Sequence, residues 1–245
     1  VYDTIAYCKD KGFEVFLDAE HFYDGFKANS DYAMKVLESA KKAGVDMLVL
    51  CDTNGGTLTH EISSITQTVC SSFTTPIGVH HHNDAGVAVA NGIAAIINGA
   101  ISVQGTINGY GERCGNCDLT TLIPNIVLKL GYHCNAESAL EHLTETSRYI
   151  SEIANLAHNE HAPYVGDNAF AHKGGIHVSA LKHNTATYEH INPELVGNRR
   201  KVIISELAGK SNIQVKAKEL GISLSKIQLS ETILRRIKIL EDQGF

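Results

Sequence analysis

Several things are missing from this chain of 245 residues, and each absence excludes a class of function. It has no long run of Lys and Arg, and its net charge is -6. That argues against nucleic acid and anionic membrane surfaces as partners. No apolar stretch reaches the roughly 18 residues that a membrane helix needs, and no signal peptide is visible. Six cysteines are scattered without a disulfide framework, which points to a soluble protein of the reducing cytoplasm. Cys114 and Cys117 form a CxxC, but no second CxxC exists, so a four-cysteine zinc site is excluded. Both cysteines are expected to pack as small hydrophobes. There is no starting methionine, and Val1 opens inside a helical pattern over Thr4 to Lys11. The chain therefore reads as a piece of something longer.

What is present is 43% hydrophobic, enough to bury a sizeable core as one α/β domain with an appendage. The first half alternates strand and helix patterns. Strands are expected over Glu14–Asp18, Met47–Cys51, Thr75–Val79 running on into the histidines, and Ile101–Thr106. Helices are expected over Asp31–Ala43, from a Thr59 cap to about Phe73, over Val87–Asn98 and over Leu119–Lys129. Four parallel βα units follow from this pattern. Four units cannot close a barrel of eight, so an open flavodoxin-like sheet is an alternative on pattern alone. Beyond Lys129 come one long helix or two over Ala136–His158, then a polar histidine-bearing stretch. Two further helices are expected at Ser211–Leu220 and Lys226–Leu240.

The polar residues of interest fall after the strands: Glu20, Thr53, His80 and His82, then Asn116 in a glycine-rich loop. That is where a (β/α)8 barrel keeps its active site. His80 and His82 are two apart on a strand, so they share one face while His81 takes the other. Two imidazoles so placed can grip a divalent metal, although from spacing alone such a pair is more often hydrogen-bonded to its surroundings. Of the thirteen histidines, most must be ordinary surface or hydrogen-bonded residues.

Six segments in order carry a resemblance: Ala19–Gly25, Leu50–Gly56, His80–Asp84, Val103–Asn116, Phe170–His177 and Tyr188–Gly197. Together they resemble the acyl-CoA Claisen-condensing enzymes: the 2-isopropylmalate, homocitrate and citramalate synthases, relatives of hydroxymethylglutaryl-CoA lyase. The citramalate synthase branch matches best, and nearly the whole chain is covered. The resemblance implies an α/β fold: the C-terminal half of a TIM (β/α)8 barrel over residues 1–135, then a mostly helical subdomain over 136–245. It implies a divalent metal (Mn, Mg or Zn) on His80, His82 and Asn116, and a 2-oxo acid substrate steadied by Thr53. Acetyl-CoA is the implied co-substrate. Glu20, His177 and Tyr188 are the implied catalytic residues, the last two reaching the active site across a homodimer. His172 rather than His177 is a competing candidate. The family's opening strand, with its Arg-Asp-Gly signature, is absent, and with it an aspartate ligand. The chain in isolation is therefore expected to be inactive. Other readings kept open are the longer oxo-acid synthases and a carbon–carbon lyase running the reverse chemistry.

Overall fold

The structure, a computed structural model, describes residues 1–173, 175–203, 210–219, 221–222 and 227–243. Gly174, Leu220 and Lys226, which fall within or at the ends of segments read from the sequence, lie outside them. The chain divides into two compact units, Val1–Cys134 and Asn135–Phe245. No helix among the described residues is long and apolar enough to cross a membrane.

The first unit opens with α1 (Tyr2–Asp10), β1 (Phe16–Ala19), α2 (Phe22–Ala28) and α3 (Ser30–Lys42). It continues through β2 (Met47–Asp52), α4 (Thr59–Ser72), β3 (Ile77–His81), α5 (Ala88–Ile97), β4 (Ser102–Gln104) and α6 (Leu119–Pro124). All four strands pair in parallel, in the order β1-β2-β3-β4. Sequential order means that each right-handed crossover adds the next strand on the same side, leaving the helices on one face. A flavodoxin-like sheet reverses direction near its first strand, so the open-sheet alternative fails. The sheet also curls. Gln104 on β4 donates to Asp18 on β1 at 3.1 Å, although two strands lie between them. Three flat interstrand steps would separate those strands by about 14 Å. The unit is thus four successive βα units of a (β/α)8 barrel, with its concave face lined by the strand residues that point inward.

Burial explains the strands. Leu48, Val49, Leu50 and Cys51 of β2 are all buried, as a parallel strand between two others demands. Each Leu or Val so buried contributes about 1.5–3 kcal/mol. On α3, Ala33, Leu37 and Ala40 face the core, with Val36 half-buried. On α4, Ile62, Ile65 and Val69 do so.

Four local expectations need correction. Phe22–Ala28 is a helix that the sequence pattern hid, because it is short and holds Gly25; it forms because Phe22 and Tyr23 bury into the core. Thr59 does not cap α4. The cap position is Leu58, whose N–H donates to Glu61 Oε2 at 3.1 Å, while Thr59 Oγ1 donates to Asn91 Oδ1 at 2.8 Å. The helix read over Leu119–Lys129 changes to a π turn at Asn125–Lys129, just after Pro124, which brings no N–H to the helical ladder. Cys117 is buried as expected, but Cys114 is exposed on the loop.

The second unit holds a 3₁₀ turn at Glu137–His142, then α7 (Leu143–Ile153), so the long pattern there resolves into two pieces. A parallel pair follows, β5 (Ala171–His172) with β6 (Lys201–Val202). Between and after these lie α8 (Gly175–His183), α9 (Lys210–Glu219) and α10 (Ile227–Asp242).

Candidate active site

Strand alternation sorts the three histidines. His81 is fully buried and packs on Tyr23, with ring centroids 5.6 Å apart. Burial, and then the neighbouring His80, push its pKa down to about 3, so it stays neutral. His80 and His82 take the opposite face, with Nε2 to Nε2 at 3.4 Å. His80 Nδ1 meets Gln104 Oε1 at 2.9 Å. Burial first, then His80 and Arg113, hold the His82 pKa below the usual imidazole value.

Asn116 joins this pair through backbone geometry. His82 and Asn116 form an antiparallel bridge, framed by Asn83 N–H to Gly115 O at 2.9 Å and Cys117 N–H to His81 O at 3.0 Å. Residues directly opposite in an antiparallel pair put their side chains on the same face. Asn116 therefore shares the face of His80 and His82. A Cβ on Gly111 would lie 2.9 Å from Asn116 Cγ, so any larger residue there would push the amide from its place.

Four polar atoms of this strand end and its bridge are buried without a hydrogen-bond partner: His81 Nδ1 and Nε2 on the core face, and His82 Nδ1 and Asn116 Oδ1. An orphaned buried acceptor costs about 1–3 kcal/mol, and of these atoms Asn116 Oδ1 is the oxygen acceptor on the face of His80 and His82. Ligand atoms about 2.0–2.2 Å from one cation lie about 3 Å apart, close to the imidazole spacing seen here. The donor set therefore fits a divalent metal. Among the described residues no three His, Cys, Asp or Glu side chains converge as a metal cluster, and the amide of Asn116 is the further neutral donor on the same face as the two imidazoles.

A second polar group lies at the ends of β1 and β2. Thr53 Oγ1 accepts from His21 N–H at 2.7 Å and donates to Glu20 Oε2 at 2.7 Å. His21 sits at φ 56, in the left-handed region, to aim its N–H there. Arg113 ties this group to the histidine strand. Its Nη2 donates to Thr53 O at 2.8 Å, and Nε and Nη2 grip Asp84 at 2.8 and 3.1 Å. Asp84 is held below the usual carboxylate range by that guanidinium. Sequence reasoning passed over Asp18, Asp84, Gln104 and Arg113. The readable signal was their position, since each sits at a strand's C-terminal end or in the loop that follows it.

In the second unit, His177 stacks on Tyr188 with centroids 4.0 Å apart, and both side chains are exposed. His172, by contrast, is buried and spends its Nε2 on Glu189 Oε1 at 3.0 Å. Glu189 is also gripped by Arg200 through Nε and Nη2. His172 is thus engaged in structure, and His177 is the accessible imidazole of the two.

Fold and site together define an α/β half-barrel with a polar centre at its strand ends. The chain belongs to the HMGL-like family, which matches residues 1–150. Residues 164–244 match the homocitrate synthase post-HMGL domain-like family. A Synechocystis protein named (R)-citramalate synthase is 55% identical over 99% of this chain and 46% of its own length. One from Geobacter sulfurreducens with the same name is 49% identical over 100% of this chain and 47% of its own. The chain spans about half the length of the curated relatives it matches. Among solved structures, an N-terminal domain from Bacteroides vulgatus aligns with a TM-score of 0.52 at 22% identity, covering 69% of this chain and 54% of that one. That likeness shows the fold.

Proposed function

We propose that the protein carrying this chain condenses acetyl-CoA with pyruvate, and that water then cleaves the thioester to release CoA and (R)-citramalate, a step towards isoleucine. The observation that carries the reading is the convergence of His80, His82 and an unpartnered Asn116 Oδ1 on one face at a barrel's strand ends. Its support is the run of relatives bearing that name across the whole chain. Residues 1–135 act as the second half of the catalytic barrel and 136–245 as a helical subdomain serving the site. The working protein is a homodimer in the cytoplasm, in keeping with six free cysteines.

A divalent cation (Mn, Mg or Zn) on His80, His82 and Asn116 would supply Lewis acidity to the carbonyl of the 2-oxo acid. All three side chains are neutral donors, so the cation's charge is left for the substrate. Thr53 holds Glu20 through its hydroxyl proton, which leaves the second carboxylate oxygen of Glu20 for substrate or proton. Thr53 thereby positions Glu20 while lining the place for the oxo acid. His177, with Tyr188 stacked on it, moves the proton taken from the acetyl methyl group.

The test is free-thiol release by the intact natural polypeptide, with acetyl-CoA, manganese and one oxo acid at a time. Release with pyruvate, and not with 2-oxoisovalerate or 2-oxoglutarate, is expected. Release only with a longer oxo acid moves the product to another synthase of the family. No release from a folded, metal-loaded protein overturns condensation.

A further inference from the structure

We propose that Asp18 and Gln104 are positioning residues that fix the tautomer of His80. The three form a directed chain across the concave face. Gln104 Nε2 donates to Asp18 Oδ1 at 3.1 Å, and Gln104 Oε1 faces His80 Nδ1 at 2.9 Å. The direction follows from the groups at its ends. A carboxylate offers only acceptors, so the face of the amide turned to Asp18 has to be the NH₂. The opposite orientation would set two oxygens against each other and is excluded by the network.

With Nε2 fixed on Asp18, Oε1 has to face His80. An oxygen there can only accept, so His80 Nδ1 carries the hydrogen. The other ring nitrogen is then bare, and it is Nε2 that lies 3.4 Å from His82 Nε2. His80 thus presents a lone pair inward, the state in which an imidazole binds a metal. The device also depends on the barrel. Asp18 is on β1 and Gln104 on β4, and only the curl of the sheet lets them meet.

This inference rests on the metal reading, yet it concerns the neutral ring before any metal binds. The test uses the intact natural polypeptide with ¹⁵N-labelled histidine. Long-range ¹H–¹⁵N correlation spectra of the metal-free protein at fixed neutral pH read the tautomer, and titration with Mn²⁺ followed by electron paramagnetic resonance reads the affinity. Wild-type His80 is expected as the Nδ1–H form. Gln104→Leu removes the acceptor, so a tautomer mixture and an affinity loss of about 10–100-fold are expected. Asp18→Asn lets the Gln104 amide turn and moves both readouts the same way, to a smaller extent. The double variant Asp18→Asn with Gln104→Glu rebuilds the chain with its polar groups exchanged. The amide now on β1 can donate to the carboxylate on β4, and that carboxylate accepts from His80. The double variant is expected to restore both readouts, which a merely structural role would not.

An Nε2–H tautomer in the wild type overturns the inference. So does a Gln104→Leu protein, folded by circular dichroism, that keeps the Nδ1–H form. Should the wild type bind no Mn²⁺ while His80 is Nδ1–H, the metal reading fails and the positioning chain stands.

Discussion

Asn116 Oδ1 is buried and carries no hydrogen bond, a state that folding alone does not favour. Removing such an atom separates stability from function. Asn116→Ala is expected to leave metal-free stability within about 1 kcal/mol of wild type, because the lost amide oxygen was itself unsatisfied. The same variant should weaken Mn²⁺ binding at least about 100-fold, beyond the effect of changing a residue that only orients a ligand. Urea unfolding and Mn²⁺ titration check the two halves; a large stability loss with unchanged affinity would reverse the assignment. The opposite pattern belongs to Glu189, whose side chain is 1% exposed beside Arg200 and His172. Burial pushes its pKa up, but the hydrogen bonds from Arg200 and His172 outweigh that and bring it below the ordinary 4.5. Its contribution is therefore complete above about pH 4.5 and is lost as pH falls through the folded value. Glu189→Gln should cost about 3 kcal/mol at pH 7, the lower end for a broken buried pair since Arg200 is partly exposed. Wild type should lose stability more steeply than the variant as pH falls below about 4.5. Parallel acid profiles for the two proteins would refute this.

Loops complete the site that the strand ends begin, and the Arg113 clamp is the clearest case. It draws the loops after β2 and β3 onto the glycine-rich loop after β4. Gly55, at φ +66, lies beneath it: a Cβ there would meet Asp84 Oδ2 at 2.4 Å and Asp84 N at 2.8 Å. Gly55→Ala should therefore cost about 1–3 kcal/mol and displace Asp84. Arg113→Lys keeps the charge but loses the forked grip, so a smaller stability loss with the same loosening is expected. Thermal melts rank the two, and equal melting points for Gly55→Ala and wild type would rule the clamp out. At this scale the sequence was partly legible. Period-2 alternation placed His80, His81 and His82 on their correct faces before any coordinates, because a buried strand leaves no other register. The apolar run of β2 was readable for the same reason. The helix at Phe22–Ala28 was not, since seven residues with an internal glycine carry little periodic signal and tertiary burial decides them. Nor was the Asp84–Arg113 pair, whose partners are 29 residues apart and meet only when the loops close.

Across the whole molecule, the strand order β1-β2-β3-β4 and the bond between β1 and β4 distinguish a half-barrel from an open sheet. Pattern alone left that choice open, because βα alternation is common to both. The chain spans about half of its curated relatives, and two imidazoles with one amide make an all-neutral set of three donors. The 245-residue chain by itself is therefore expected to bind Mn²⁺ weakly and to release no CoA from acetyl-CoA and pyruvate. Thiol release by the isolated chain would show that its own residues suffice. The proposed metal centre can be seen directly by anomalous diffraction from crystals of the intact natural polypeptide soaked in Mn²⁺. One peak is expected within about 2.0–2.3 Å of His80 Nε2, His82 Nε2 and Asn116 Oδ1. A peak held by other side chains, with Asn116 Oδ1 still unpartnered, would contradict it.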